Sequence, residues 1–188
     1  MSRKLGVIAA GFLLLVLPAG GLAQSADRQR VDPVALLPTA DELPPGFIHQ
    51  SNRDEDRTTA NWSHATRVYW RFNPEVGPDD ITSLHVSVTV YDSVAAASQA
   101  MRDIYPELLR NFQSVESTDA VGEEAFQLWH SIPELGPRQA EAWYMLFRAG
   151  PVVARSRWGD FDDLPNYDHV VELALQLQSK IRQRFPET

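Results

Sequence analysis

The chain has 188 residues, of which 44% are hydrophobic and 22% charged, so it can form a globular domain with a buried core. Its formal net charge of −8 argues against nucleic acid as a partner, because an acidic surface repels phosphate backbones. The absence of cysteine excludes disulfides, thiolate catalysis and cysteine-based metal sites.

The first 23 residues predict an export signal. Arg3 and Lys4 form a positively charged start, and an apolar run from Leu5 to Leu17 follows. This run is shorter than the roughly 20 residues that a membrane-spanning helix needs. Gly21-Leu22-Ala23 then places small residues where a signal peptidase cleaves. We therefore expect a secreted or periplasmic protein with no membrane span after cleavage; a retained N-terminal anchor is the alternative.

The rest of the chain divides into a linker and one domain. Residues 24–35 are mostly polar and show no periodicity, which predicts a flexible linker, and residues 36–188 form a single predicted domain. Cleavage of the leader removes two basic residues and no acidic ones, which leaves 15 basic and 25 acidic residues and a formal charge of −10.

The domain begins with the segment "LLPTADELPPGF", Leu36 to Phe47, which we call the proline strip. Its three prolines fix local backbone angles and hold the residues before them extended, so neither a long helix nor a central strand suits it. We expect the strip to lie across the domain and to point four apolar side chains inward: Leu36, Leu37, Leu43 and Phe47.

Two strands and a helix follow. Residues 51–59, "SNRDEDRTT", predict an exposed loop or hairpin tip, whereas residues 65–72 and 81–92 alternate and predict strands. From Val94 to Phe112, apolar residues recur at helical spacing, and Pro106 is expected to kink or split this helix.

The last third of the domain predicts more strands and a second helix. Residues 114–119 and "GEEAFQLWHS" predict strands, and a hairpin turns at Ala149-Gly150-Pro151. The final helix runs from Tyr167 to Arg184. Because no regular strand–helix alternation is present, the order predicts an α+β fold, with an antiparallel sheet of about five to six strands and two helices packed on one face.

The sequence contains no strong catalytic or metal-binding motif. It lacks the HExxH and GxSxG patterns and glycine-rich phosphate loops, so we predict no catalytic residue, no metal and no cofactor. His85 is expected to be a surface or cross-strand histidine. The acidic residues Asp160, Asp162 and Asp163 are typical of a solvated loop before a helix, since Leu164, Pro165 and Val171 occupy EF-hand positions that require an oxygen ligand, glycine and glutamate. An irregular cation site is the alternative.

Arginines on two strands form the candidate ligand site. Arg67, Tyr69 and Arg71 share one side of their strand, and Arg155 and Arg157 share one side of theirs. If the strands are neighbours, these five side chains would line one surface suited to a small anionic ligand, because guanidinium groups bind carboxylates and phosphates. The alternative is that the arginines pair with acidic residues across strands.

Four segments together resemble a pattern found in uncharacterised secreted proteins and lipoproteins of bacteria. They are the proline strip, "VYDS" before an alanine-rich helix, "AVGEEAF", and "LFRAGPVVAR" before the last helix. The architecture resembles the Mog1/PsbP-like α+β sandwich, which implies a binding or accessory role and no known catalytic residues. Here Gly150-Pro151 replaces the commoner glycine-asparagine turn, and the lipidation cysteine is missing.

These observations predict an exported, non-enzymatic binding or accessory protein of the bacterial envelope. Its partner would be an unidentified small anionic ligand or an envelope protein. Two alternatives remain open: a structural subunit of a surface assembly that uses aromatic residues such as Trp62 or Trp129, and an enzyme whose site is assembled from scattered Asp, Glu and His.

Overall fold

The computed structural model describes residues 31–72, 81–132, 140–160 and 167–186. The predicted export signal, most of the predicted linker and the acidic residues Asp162 and Asp163 lie outside the described residues. Within the described ranges, no helix is long and apolar enough to cross a membrane.

The fold is α+β, as predicted, and every strand pairing is antiparallel. Three short 3-10 turns occupy Pro33–Leu36, Ala40–Glu42 and Ser51–Arg53. The α-helices are α1 (Val94–Asn111) and α2 (Tyr167–Arg184). The strands are β1 (Ile48–His49), β2 (Glu55–Thr58), β3 (Trp62–Phe72), β4 (Ile81–Tyr91), β5 (Ser114–Ser117), β6 (Glu124–Ile132), β7 (Ala140–Ala149) and β8 (Val152–Asp160).

The sheet has the order β1-β3-β4-β8-β7-β6-β5, and β2 also pairs with β3. Within the described ranges it therefore holds eight strands, more than the five to six predicted. The additional strands are β1 and β2, and β2 lies within the segment predicted to be a loop or hairpin tip. All four residues of β2 are exposed, so it lacks the apolar alternation by which a half-buried strand is recognised.

The two α-helices pack on opposite faces of the sheet, so the prediction that both lie on one face is wrong. Successive strand residues point to opposite faces, and the neighbours Leu146 and Phe147 of β7 belong to different clusters of buried residues. The cluster of Phe147 includes Val170, Leu173 and Leu177 of α2, whereas that of Leu146 includes Met101 and Leu108 of α1. We call these two sides the α2 face and the α1 face. Periodicity identified the apolar side of each helix but carried no information about which face it would cover.

Helix α1 runs without interruption through Pro106, so the predicted kink does not split it into two elements. Its first turn is capped by Ser93, whose hydroxyl accepts a hydrogen bond from the backbone N–H of Ala96 at 3.1 Å. Pro106 is exposed, where water can satisfy the backbone carbonyl left without a donor.

The proline strip packs on the α2 face, and the prediction that its apolar residues point inward is confirmed. The description begins at Val31, and Pro33, within the predicted linker, is buried. The four predicted inward-facing residues are each 8% exposed or less: Leu36, Leu37, Leu43 and Phe47.

Polar contacts hold the strip in place at both sides. The buried hydroxyl of Tyr69 on β3 donates a hydrogen bond to the carbonyl of Pro38. From α2, the Lys180 ammonium donates to the carbonyl of Leu37 at 3.0 Å and to the Glu42 carboxylate at 2.6 Å. The hydrogen bond from Lys180 is the main reason that the pKa of Glu42 is lowered. The strip is thus fastened to the sheet and to α2 together.

The "AVGEEAF" segment joins β6 to the β7–β8 hairpin. Gly122 has a φ of +72°, and a Cβ there would lie 2.5 Å from the carbonyl oxygen of Arg148. The Glu123 carboxylate next to it forms an ion pair with Arg148 and accepts a hydrogen bond from the backbone N–H of Gly150 at 2.8 Å. Position 122 therefore requires glycine for two separate reasons: its positive φ, and the close contact that a Cβ would make with the Arg148 carbonyl oxygen.

The first test concerns the strip. Leu37→Ala removes a side chain that is 3% exposed, so we expect a loss of about 2–5 kcal/mol in the free energy of unfolding and a melting temperature lower by several degrees. Leu109→Ala is the matched control, because Leu109 is 55% exposed and its truncation should change the melting temperature little. Equal melting temperatures for the two variants would contradict the packing of the strip.

The second test separates backbone strain from steric contact. Gly122 and Gly150 both have positive φ, but a Cβ at Gly150 would meet no atom within 4 Å. Gly150→Ala should therefore cost only the left-handed penalty of about 1–2 kcal/mol, whereas Gly122→Ala should cost clearly more. Urea denaturation midpoints measure both. The contact with Arg148 would be refuted if the two variants lost the same stability.

Candidate functional site

The arginines of the predicted ligand site do not share a surface. Strand β4 lies between β3 and β8, and the registers place Arg67, Tyr69 and Arg71 on the α2 face. Arg155 and Arg157 lie on the α1 face, where their strand neighbour Val153 packs beside the residues of α1. The prediction of one shared basic surface is wrong, since the parity of each strand was readable from the sequence but their alignment across β4 was not. Ligand binding by any of these residues stays a prediction.

The three residues on the α2 face have contacts that account for them structurally. Arg67 forms ion pairs with Asp56 at 2.7 Å and with Asp54 at 3.5 Å, as the alternative of cross-strand pairing predicted. The guanidinium of Arg71 lies over the rings of Phe47 and Trp158, at 5.2 and 6.0 Å from their centroids. Tyr69 is 2% exposed beneath the proline strip, and burial raises the pKa of its hydroxyl to about 12. These three side chains therefore contribute to the packing of the α2 face and of the segments that cover it.

Arg155 and Arg157 lie on a different surface, which we call the open face: the α1 side of β3, β4 and β8. Helix α1 packs against β8, β7, β5 and part of β4. On the same side of β3, the guanidinium of Arg53 lies 4.8 Å from the ring centroid of Trp70. Arg53 and Arg155 are exposed, so the open face presents positive charge to solvent.

His85 lies at the centre of the open face, directly across from Arg157 on β8. Arg157 donates a hydrogen bond to Nε2 of His85 at 3.2 Å, which assigns the imidazole proton to Nδ1 and confirms His85 as a cross-strand histidine. Burial, and to a smaller extent the charges of Arg157, Arg155 and Arg53, lower the pKa of His85 to about 4. Three guanidinium groups therefore surround one neutral imidazole.

These three guanidinium groups have no carboxylate partner among the described residues. Among the described residues, the basic side chains that form ion pairs with carboxylates include Arg57, Arg67, Arg148 and Lys180. Arg53, Arg155 and Arg157 are not among them. The Nε atom of Arg157 is buried without a hydrogen-bond partner, although its side chain also lies 5.6 Å from the ring centroid of Tyr144. Glu55 of β2, directly opposite Thr66, is a carboxylate on this side of the sheet, but it pairs with Arg57 at 3.5 Å and not with any of the three clustered arginines.

Hydroxyl groups and a second histidine border the arginines. The two ring nitrogens of His64 contact the hydroxyls of Thr89 at 2.8 Å and Thr66 at 2.9 Å. Burial and the charge of Arg155 lower the pKa of His64 as well. Ser87 lies between Thr66 and Arg155 in the same cross-strand row. The open face thus combines fixed positive charge with neutral hydrogen-bonding groups.

Two cavities of the described structure lie along α2, away from the arginines. One, of about 380 Å³, lies between α2 and the proline strip and is lined by Pro38, Leu173 and Leu177. Its charged groups, Lys180 and Glu42, already pair with each other and hold the strip. Gln176 and Ser179 of α2 also line the cavity, so polar side chains accompany its apolar walls.

The described part of the chain contains no group of three or more His, Asp or Glu residues arranged to hold a metal ion. His85 is the histidine with the lowest pKa of those that shift, but its Nε2 already accepts from Arg157 and is not available as a general base.

Sequence reasoning identified two of the three arginines of the open face and missed Arg53 and His64. Arg53 belongs to a polar 3-10 turn that looked like part of an exposed loop, and only the pairing of β1 and β2 with β3 brings it over Trp70. The placement of His64, Thr66 and Thr89 follows from the β3–β4 register. The one signal available in the sequence was that His64 and Thr66 lie on the same side of one alternating strand and Thr89 on the polar side of the next.

The electrostatics of the open face can be tested by titration. The pKa of His85, read from its imidazole NMR signals, should be near 4, so the folded protein resists protonation while the unfolded chain accepts a proton at about 6.5. Stability should consequently fall as the pH drops from 6.5 towards 4. Arg157→Gln removes one positive charge and should raise the pKa of His85. Arg57→Gln should instead act on His64; identical titrations of His85 in wild type and Arg157→Gln would contradict the arrangement.

Comparison with known proteins does not assign this chain to a family. No family model matches the chain, no curated protein matches it, and no solved structure matches it. The resemblance to secreted bacterial proteins and to the Mog1/PsbP-like architecture therefore stays a prediction.

Proposed function

We propose that the chain is an exported, non-enzymatic binding or accessory protein that holds a small anion against the open face. One observation carries this proposal: three guanidinium groups, those of Arg53, Arg155 and Arg157, surround neutral His85 and have no carboxylate partner among the described residues. The earlier expectation of an anionic ligand is retained, but its site now uses only two of the five residues first proposed.

An anion at this place would relieve an unfavourable arrangement of charge. Like charges held close together repel, and each guanidinium offers donors in a planar fork that fits carboxylate or phosphate oxygens. The buried Nε of Arg157 is a donor that no described group satisfies, although unsatisfied buried donors cost stability. A bound anion would supply both a counter-charge and an acceptor.

The same geometry favours binding over catalysis. The open face is a surface of strands rather than a closed cleft, so nothing described there excludes water from a reaction. The central histidine is neutral, and its acceptor nitrogen is occupied by Arg157. The groups that remain are donors and positive charges, which are suited to holding an anion in place.

The proposal predicts weak but localised binding of simple anions. Titration of the 15N-labelled protein with acetate or inorganic phosphate at low ionic strength should shift the amide signals of β4 and β8, with millimolar affinity, and should raise the pKa of His85. The double variant Arg155→Gln/Arg157→Gln should abolish these shifts. High salt should weaken binding, because the site is exposed to screening.

The matched control removes the same charge from elsewhere. Arg110→Gln/Arg184→Gln neutralises two exposed arginines in the last turns of α1 and α2 and should leave binding unchanged. If both double variants weakened binding equally, the effect would come from net charge alone. Shifts scattered over the whole protein would contradict a site on the open face.

A further inference from the structure

The open face continues into an apolar border at the edge of the sheet. Ile48 of β1 is paired with Trp70 of β3, and Phe72 follows Trp70 on the same side of the strand. Ile48 is 56% exposed and Phe72 is 48% exposed, two of the largest exposures among the large hydrophobic residues described. We call Ile48, Trp70, Phe72 and their neighbour Ile81 the apolar border.

The apolar border and the arginines are within reach of one small molecule. In the sheet, Trp70 is one strand and one same-side residue away from His85, and Ile48 is one strand further. From the spacing of strands and residues, these separations are about 8 and about 12 Å. Arg53 connects the two regions, because it lies over Trp70 and also lowers the pKa of His85.

Exposed apolar residues on an edge strand normally favour unwanted association, so their position needs a reason. Phe72 and Ile48 do not belong to either buried cluster of the domain. A ligand with an apolar part would cover these two side chains, and their removal from water would strengthen its binding. A compact inorganic anion would leave them exposed. Positive charge beside the apolar border is complementary to a molecule that has one anionic group and one apolar group.

We infer that the ligand of the open face is an amphiphilic organic anion: a carboxylate or phosphate head at Arg53, Arg155 and Arg157, joined to an apolar chain or ring that lies along β3 onto the apolar border. This inference rests on the proposed function, since it uses the same cluster of arginines for the anionic head. It adds the chemical class of the ligand and the direction in which the ligand lies.

A series of straight-chain carboxylates tests the inference. Acetate, butyrate, hexanoate and octanoate carry the same head, so any gain in affinity along the series comes from the chain. Each methylene buried completely tightens binding by about fourfold, and a partly exposed border should give a smaller but steady gain. The dissociation constant of octanoate, measured by calorimetry or by NMR titration, should be at least tenfold below that of acetate.

Two sets of variants separate the head from the chain. Ile48→Ser/Phe72→Ser should remove most of the gain from acetate to octanoate and leave acetate binding unchanged. Arg155→Gln/Arg157→Gln should weaken every member of the series. Leu109→Ser is the matched control, because Leu109 is 55% exposed on α1 and should not affect the series. Circular dichroism and melting temperatures establish that each variant is folded.

The outcomes distinguish this inference from the proposed function. If octanoate binds no more tightly than acetate while the arginine variant abolishes both, the amphiphilic ligand is refuted and anion binding stands. If no anion binds, both proposals fail. Vesicles containing phosphatidylglycerol test a membrane surface as the source of the same chemistry: cosedimentation with vesicles, without binding of free octanoate, would overturn a free ligand. Loss of the chain-length gain in Leu109→Ser would also overturn it.

Discussion

The structure depends on a sheet in which one inner strand, β7, is apolar on both faces. On β7, Met145 and Phe147 point to the α2 face and Leu146 to the α1 face, and all three are at most 3% exposed. Such a strand is stable only if both sides are removed from water, because each side contributes through buried apolar area. Two helices on one side would leave the other in solvent. The opposite placement of α1 and α2 follows from this requirement.

The two faces are covered to different extents. On the α2 face, the helix reaches over β7 and β8, and the proline strip extends the cover towards β3, where Tyr69 and Lys180 hold it. On the α1 face, the cover ends near β4. The residues beyond it include histidines, threonines and arginines on β3, β4 and β8, with Val68 buried opposite His85 and exposed apolar side chains at the edge. Among the described residues, the α1 face is therefore the less completely covered of the two, and it is there that we propose the ligand binds.

The arginines show how tertiary context assigns different roles to one residue type. Arg67 pairs with carboxylates, Arg71 stacks on aromatic rings, and Arg148 ties β7 to the "AVGEEAF" segment. Arg155 and Arg157 instead lie beside another arginine and a histidine that burial keeps neutral. A guanidinium with a counter-charge contributes to the fold, whereas those without a described counter-charge are the ones to which we assign anion binding in our proposal. This difference, rather than the number of arginines, distinguishes the open face.

Local patterns in the sequence determined most of the elements and the side on which each residue lies. Alternation located β3, β4 and β8, helical spacing located α1 and α2, and the prolines of the strip indicated an extended cover with buried leucines. These features are local because each depends on residues two to four positions apart. The fully polar β2 gave no such signal and was missed. Only the tertiary structure decided that β4 separates β3 from β8, which face each helix covers, and which arginines come together. Those outcomes depend on strand order and register, which arise from contacts between residues far apart in the chain and cannot be read from spacing along it.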